Sequence, residues 1–537
     1  MKKLKRIGLL LLSLSPLGGV GGGYLFAADR TFTIDKNLSI YYDVMRQIDM
    51  NYVDTLNYKD LTETAINAML RKIDPYTIYY PKTKDDELKM MTTGKYGGIG
   101  AIIQQREVDT GKKDKETITL IADPYEGKPA QRNGVMAGDR ILTVDGWDTK
   151  DHKLEEVSDH LRGVPGTIVT LKLQREGLKK PFEVSFPREE VRIEPIDYTA
   201  LFQDTIAYIC LREFTSGCAN DFARALNTLV QQGAKRLVFD LRGNGGGIVD
   251  EAISIISNFV DKGTEVVYTK GKLKEFNRSY VTSSYPIYRD LPIVVLVDAN
   301  SASASEIVSG SLQDLKRATL IGERTFGKGL VQNVRPIAYD GHLKVTTSKY
   351  YLPSGRCIQA IDYAERQKGK QLHKDTAGGI LPDIVMADSQ KVDITYTLYI
   401  KNMFFDYATR YRLQHESIGS ESEFEVTDEL LEDFCAFLDE KQFTYETETS
   451  KFFKDLLKMA EHEDLDSATI VQLKSFEPLL QPNFRDAIDR HKDEVKSFLG
   501  SELISRYYYQ RGKFGFMLRD DKVLKKALEY QTPNTKH

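Results

Sequence analysis

Apolar positions change their period along this chain, and each change marks a boundary. Ile40, Val44 and Ile48, then Leu61, Ala65, Ile66, Met69 and Leu70, recur at helical spacing, as amphipathic helices with one packed face require. The pattern stops at Asp74-Pro75-Tyr76, where proline and the aromatic residues Tyr76, Tyr79 and Tyr80 predict a turn packed onto a neighbouring domain. From Gly94 to Pro187 short strand-like runs are separated by glycine turns, and one helix carries Leu154, Val157 and Leu161 on a single face. Between 188 and 388 strand-like runs at Ile206–Leu211, Arg236–Leu241 and Pro292–Val297 alternate with helical stretches at Asp221–Val230, Val249–Val260 and Ser303–Leu315, the signature of a partly parallel sheet. Beyond 389 the spacing is helical again: Leu431, Phe434, Cys435 and Leu438 make one face, and acidic residues gather between Glu416 and Glu448. The expected fold is multidomain α/β, with a leader at 1–28, an N-terminal helical domain at 29–93, a β-rich domain at 94–187, an α/β core at 188–388 and a C-terminal helical domain at 389–537.

The leader is read from its layout. Met1-Lys-Lys-Leu-Lys-Arg6 precedes an apolar run from Ile7 to Leu14 and a Gly-rich stretch that ends at Phe26-Ala27-Ala28, as in an export signal peptide. The apolar part ends by Leu17, short of the ~20 residues that span a bilayer. Phe26 makes a weak cleavage region, so an uncleaved anchor at the inner membrane is the alternative. The expected location is the bacterial periplasm or cell envelope.

Composition narrows the chemistry mainly by exclusion. A net charge of −4 over 537 residues gives no bulk electrostatic reason to bind nucleic acid or an anionic membrane. The four cysteines, Cys210, Cys218, Cys357 and Cys435, are too few and scattered for a disulfide framework, and buried free thiols are expected in preference to a Cys210–Cys218 bridge. The eight histidines are dispersed and no HExxH or paired CxxC occurs, so no metal and no other cofactor is expected.

Three elements carry candidate chemistry. The strand ending at Val297 runs into Ser301-Ala-Ser303-Ala-Ser305-Glu306. Small residues at a strand-to-helix entry leave room for a substrate beside a hydroxyl, and the free amides of the first helical turn can hold an oxyanion. Ser303-x-x-Glu306 is equally a capping box, which alone would make Ser303 only a helix cap. The second element, Asp240-Leu-Arg-Gly-Asn244-Gly245-Gly246-Gly247, lacks Walker and GxGxxG spacing and suits a donor loop for a tetrahedral intermediate better than a nucleotide site. The third is Lys328, between Gly327 and Gly329. An ordinary lysine is neutral about once in 2,500 at pH 7, so a base here needs roughly 3 to 5 kcal/mol of desolvation; Phe326, Leu330 and Val331 are the neighbours expected to supply it. A surface lysine is the bland alternative. His342, in a hairpin-like Tyr339-Asp-Gly-His turn without a GxSxG elbow, makes a poor triad member.

Taken together, "IDPYTIYY", "AGDRILTVDG", "GVPGT", "LRGNGGG", "SASASEI", "TFGKG", "LPSGR" and "GGILPDI" resemble the C-terminal processing (tail-specific) peptidase family over roughly residues 40–390. The resemblance implies a PDZ domain at 94–187 and a crotonase-like or ClpP-like protease core. It also implies a serine endopeptidase with a Ser/Lys dyad that acts on proteins presented by their C-terminal tails. By position it puts the nucleophile on Ser303, with Ser301 and Ser305 structural, the base on Lys328, and its polar partner on Gln332. That partner reaches the lysine only if the strand between them turns. The oxyanion donors fall on the amides of Ala304 and of Gly246 or Gly247, and the peptide-binding loop on Gly97, Gly98, Ile99 and Gly100. Protein or peptide substrates are the expected partners, with a homodimer or adaptor contact through the C-terminal helices as a further possibility. A non-catalytic PDZ scaffold is the competing class, and it would have lost Ser303 or Lys328; both are present.

Overall fold

The computed structural model describes residues 21–108, 115–367, 378–387, 393–480 and 482–530, and divides into two units at Arg71. Of the leader expected at 1–28, residues 1–20 lie outside the described residues, and 21–28 begin a helix that runs on as Gly21–Asn51. Among those described, no helix is long and apolar enough to cross a membrane.

The first unit holds α1 (Gly21–Asn51) and α2 (Tyr58–Arg71). Asn57 caps α2, its Oδ1 accepting the N–H groups of Lys59 (3.1 Å) and Asp60 (3.3 Å), and Tyr58 ties back to Asp49 at 2.7 Å. Ile40 and Val44, read as a packed face, are half exposed.

The second unit opens with an Asx turn. Asp74 Oδ1 accepts the N–H groups of Tyr76 (2.8 Å) and Thr77 (2.7 Å), which ends any helix and starts β1 (Ile78–Tyr80). The helical domain expected to run to residue 93 therefore breaks here, because β1 pairs with a strand of the core. After α3 (Asp85–Thr93), Gly94 closes the helix at φ 67°. Next come β2 (Lys95–Gly98), β3 (Ala101–Val108), β4 (Glu116–Pro124), α4 (Pro129–Arg132), β5 (Arg140–Val144), β6 (Trp147–Asp148), α5 (Leu154–Leu161), β7 (Ile168–Gln174), β8 (Phe182–Pro187) and β9 (Glu189–Arg192). The sheet runs β3-β4-β5-β7-β8. Every second residue of β7 is buried, as a half-buried strand requires, and Val169, Leu171 and Leu173 pack with Val157 and Leu161 of α5. β3 is the edge: it pairs with β4 alone.

The core follows as β10 (Ile196–Phe202), β11 (Ile206–Leu211), α6 (Cys218–Gln231), β12 (Arg236–Asp240), α7 (Val249–Ile256), β13 (Glu265–Gly271), β14 (Ser279–Val281), β15 (Ile293–Val297), α8 (Ala304–Asp314), β16 (Thr319–Gly322), β17 (Leu330–Ile337), β18 (Gly341–Tyr351), α9 (Tyr363–Gln367) and β19 (Ile384–Val385). Its main sheet has the order β10-β11-β12-β15-β16-β19, parallel except for β10. β11 and β15 are buried at every position, as strands covered on both faces should be. Phe222, Ile256 and Ile307 of α6, α7 and α8 fill one side. A second, antiparallel sheet of β1, β18, β13 and β14, with β17 on β18, had no expectation from the sequence beyond its hairpin turn.

The remaining helices are α10 (Asp393–Ile400), α11 (Met403–Gln414), α12 (Asp428–Glu440), α13 (Glu448–His462), α14 (Ser467–Lys474), α15 (Glu477–Leu480), α16 (Phe484–Arg490), α17 (Lys492–Leu518) and α18 (Lys522–Glu529). They share a core of Phe404, Tyr407, Phe434 and Leu499, yet they do not stand apart. α17 kinks at Tyr509 (φ 53°, ψ −159°), where Tyr509 accepts from Gln131 of α4 at 2.8 Å and Gln510 donates to Asp123 of β4. Beyond the kink, Leu518, Val523, Leu524 and Ala527 cover the second face of the parallel sheet. The four cysteines are free, and three of them are buried.

Candidate active site

β15 delivers the chain to Asp298, whose Oδ1 accepts the N–H groups of Asn300 (3.0 Å), Ser301 (2.9 Å) and Gly243 (3.0 Å). The strand exit and the glycine loop after β12 are thereby pinned to each other. Ser301 Oγ donates to Leu241 O at 2.8 Å and Ser305 Oγ to Asn244 O at 2.9 Å, so both flanking serines bind the loop backbone. Ser303, between them, sits at φ 58° and ψ −113°, a strained conformation for a residue with a Cβ and one that clusters at functional sites. It opens α8 with the capping-box geometry that the sequence suggested.

Glu306 does more than cap. Its carboxylate is wholly buried; Oε2 accepts the N–H of Ser303 (2.8 Å) and of Lys328 (2.9 Å), and Oε1 accepts Gly327 N–H (2.8 Å) and Thr325 Oγ1–H (2.6 Å). One carboxylate oxygen thus holds the backbones of Ser303 and Lys328 together. Burial pushes the Glu306 pKa up while these donors pull it back, and four donors onto two oxygens are what an ionised carboxylate can satisfy. The local Ser-x-x-Glu signal revealed half of this arrangement. The reach to residues 325–328 had no sequence signal.

Lys328 is mostly buried, and burial, with the charge of Lys344 beside it, pulls its pKa down to about 8 against the pull of Glu306 and Asp74. About one molecule in ten then carries a neutral lysine at pH 7. The pocket differs from the expected one: Phe326 is 43% exposed and turns outward, whereas the Tyr76 ring lies 4.6 Å from Lys328 Nζ. Among the described residues Nζ has no hydrogen-bond or ion-pair partner. Gln332 donates instead to Leu330 O and Thr346 Oγ1, both at 3.3 Å. The irregularity that would let Gln332 turn toward the lysine exists, as a bulge between Val331 and Gln332. Tyr350, fully buried on β18, donates to Lys328 O and interacts with the Ser303 side chain; nothing in the sequence singled it out. His342 pairs with Asp85 at 3.3 Å and lies eight residues along β18 from Tyr350, about 26 Å away, so it has no part in this site.

The two expected donor glycines separate. Gly246 N–H is engaged by Asn244 Oδ1 at 2.8 Å, which corrects its assignment as a donor to an oxyanion. Its lack of a side chain serves the approach to the serine, since a Cβ there would stand 2.7 Å from Ser303 Cβ and 2.9 Å from Ala304 N. The N–H groups of Gly247 and Ala304 have no partner among the described residues, in keeping with a two-donor oxyanion site.

In the β-rich domain, Gly97 and Gly98 belong to β2, opposite Glu190 and Glu189. Ile99 and Gly100 form the loop proper: their carbonyls accept from Ala130 (2.8 Å) and Tyr125 (2.9 Å), and their N–H groups have no partner among the described residues. These two free amides lie at the start of β3, which among the described residues pairs with β4 alone.

Comparison with known proteins gives the family. Residues 205–386 match Peptidase family S41, 120–175 match the PDZ domain, and 394–530 match the C-terminal helical domain of probable PDZ-proteases. The carboxy-terminal-processing protease of Bartonella bacilliformis is 34% identical over 355 residues, covering 65% of this chain and 75% of that protein. The chain belongs to the carboxy-terminal-processing protease family. A second family member, the carboxyl-terminal-processing protease of Synechocystis sp., is 34% identical over 313 residues, 57% of this chain and 70% of that one. Among solved structures, the photosystem II D1 C-terminal processing protease is 27% identical with a TM-score of 0.36, covering 65% of this chain and 92% of that one. As a family member the protein is a serine-type peptidase with a PDZ domain, and its partners are protein or peptide substrates.

Proposed function

We propose that this protein is an endopeptidase that takes protein C-termini in its PDZ domain, residues 94–187, and cleaves peptide bonds in its core, residues 188–388, with a Ser303/Lys328 dyad. A tail carboxylate meets the amides at Ile99 and Gly100 while the tail adds to the edge of β3. Neutral Lys328 takes the Ser303 hydroxyl proton as Oγ bonds to the scissile carbonyl carbon, and the amides of Gly247 and Ala304 receive the resulting oxyanion. Lys328 then gives the proton to the departing amine as the C–N bond breaks, and water, activated by the same lysine, releases the acyl group. Gln332 has the role of a polar partner that meets the lysine once substrate is bound. The leader layout of residues 1–28 supports a periplasmic or cell-envelope location.

The observation that carries this reading is the Glu306 carboxylate gripping the Ser303 and Lys328 amides on one oxygen, with the lysine in a pocket that lowers its pKa to about 8. The test is turnover of unfolded casein and of a model protein with an accessible C-terminus. Ser303→Ala and Lys328→Ala are each expected to lose about 10⁴-fold or more in kcat, and cleavage by either at the parent rate would sink the dyad.

A further inference from the structure

The "IDPYT" segment, some 250 residues upstream of the lysine, has no role in the scheme above, yet it forms one wall of the Lys328 pocket. We propose that Tyr76 is a positioning residue for the base: its ring face receives the Lys328 ammonium and holds Nζ in place between the two proton transfers. This rests on the Ser303/Lys328 reading.

The ring is the group that Nζ faces, at 4.6 Å, and it is fixed from several directions. Asp74 accepts the Tyr76 and Thr77 N–H groups and the Thr77 hydroxyl (3.0 Å). Thr77 Oγ1 in turn accepts Thr346 N–H at 3.3 Å, and β1 continues as a strand on β18. Tyr363 of α9 meets the ring edge-on, at 6.1 Å and 85°. A side chain held this firmly is a platform rather than a filler.

A buried base that becomes charged during each cycle needs a partner for its charge. A contacting carboxylate would hold the proton too tightly for Lys328 to return it to the leaving amine. The carboxylates that reach Lys328 electrostatically are Glu306 of α8 and Asp74 of the turn before β1, and their oxygens accept backbone and threonine donors. Lys344 of β18 repels the ammonium, and Tyr350 of β18 is directed at the Lys328 carbonyl. The aromatic quadrupole supplies a weaker attraction that the lysine can leave.

The test compares the pH dependence of kcat/KM for Tyr76→Phe, Tyr76→Leu and the parent on one tail-bearing peptide. Tyr76→Phe keeps the ring face, so the midpoint of its acidic limb is expected within about 0.3 pH units of the parent. Tyr76→Leu removes the attraction for the ammonium, so the limb is expected to move down by about half to one pH unit while the plateau falls about tenfold from loss of positioning. If Tyr76→Leu does not fold, Tyr76→Trp decides, because its stronger π face should move the limb upward. A limb unmoved in the leucine variant, or in the tryptophan variant where leucine does not fold, overturns the inference even if the plateau drops. Undiminished cleavage by Ser303→Ala or Lys328→Ala is a different failure, that of the dyad itself.

Discussion

Two glycine-rich loops serve this molecule on opposite terms. The one at Gly243–Gly247 is braced from every side: Asp298 takes the Gly243 N–H, Asn244 donates to Leu211 O at 2.7 Å while accepting Gly246 N–H, and both Ser305 and Ala302 bond to Asn244 O. The one at Gly97–Gly100 has carbonyls held while the Ile99 and Gly100 amides stay open, beside β3, which among the described residues pairs with β4 alone. A loop that meets a developing charge must have a single geometry before the reaction begins. A loop that receives another chain must leave donors unpaired until that chain arrives.

Substitutions should break the two loops in different ways. The largest effect is expected from Gly246→Ala, which needs a Cβ at φ 102° and 2.7 Å from that of Ser303; kcat/KM should fall about 10²- to 10³-fold, while the Kd for a C-terminal peptide, read by fluorescence anisotropy, stays at the parent value. Next is pH. Lysine accepts a proton only when neutral, so kcat/KM should rise about tenfold per unit toward a midpoint at about 8 and level off above it. Tail affinity should stay flat over the same range because backbone amides do not titrate. A tail Kd that tracks the activity limb would merge the two sites. Smaller is Gly97→Ala, whose Cβ would lie 2.1 Å from Gly163 O. Overpacking of this kind costs about 1 to 3 kcal/mol, so tail affinity should drop about tenfold with kcat at a saturating concentration of a tail-bearing peptide nearly unchanged. The smallest effect is expected from Gln131→Ala, which loses the hydrogen bond to Tyr509 and the one accepted from Gly127 N–H, together worth about 1 to 2 kcal/mol in a thermal melt, and leaves both loops working.

The sequence displayed the parallel sheet because strands buried on both faces are written as unbroken apolar runs, as at Ile206–Leu211 and Ile293–Val297. It displayed the Ser303 entry and both glycine loops for a similar reason, since small residues record close approach. It did not display the antiparallel sheet of β13, β14, β17 and β18, whose partly exposed residues carry a weaker alternation. Nor did it show which groups surround Lys328. Phe326 is adjacent in sequence and turns away, while Tyr76 and Tyr350 are distant in sequence and close in. Glu306 is the instructive case: its bond to Ser303 spans three residues and is legible as a cap, and its bond to Lys328 spans 22 and is not. Gly246 and Gly247 looked equivalent, and the Asn244 side chain makes them different.

The helices that cover the second face of the parallel sheet come from Leu518, Val523, Leu524 and Ala527, near the end of the described chain. A protein is made from its N-terminus at about 5 to 20 residues per second, so every motif of the site has been synthesised well before those residues appear. Until then β11, β12 and β15 have one apolar face with no cover. The second face of the sheet is thus completed by residues made about 200 positions beyond the last strand-to-helix motif of the site, after about 10 to 40 seconds of further synthesis.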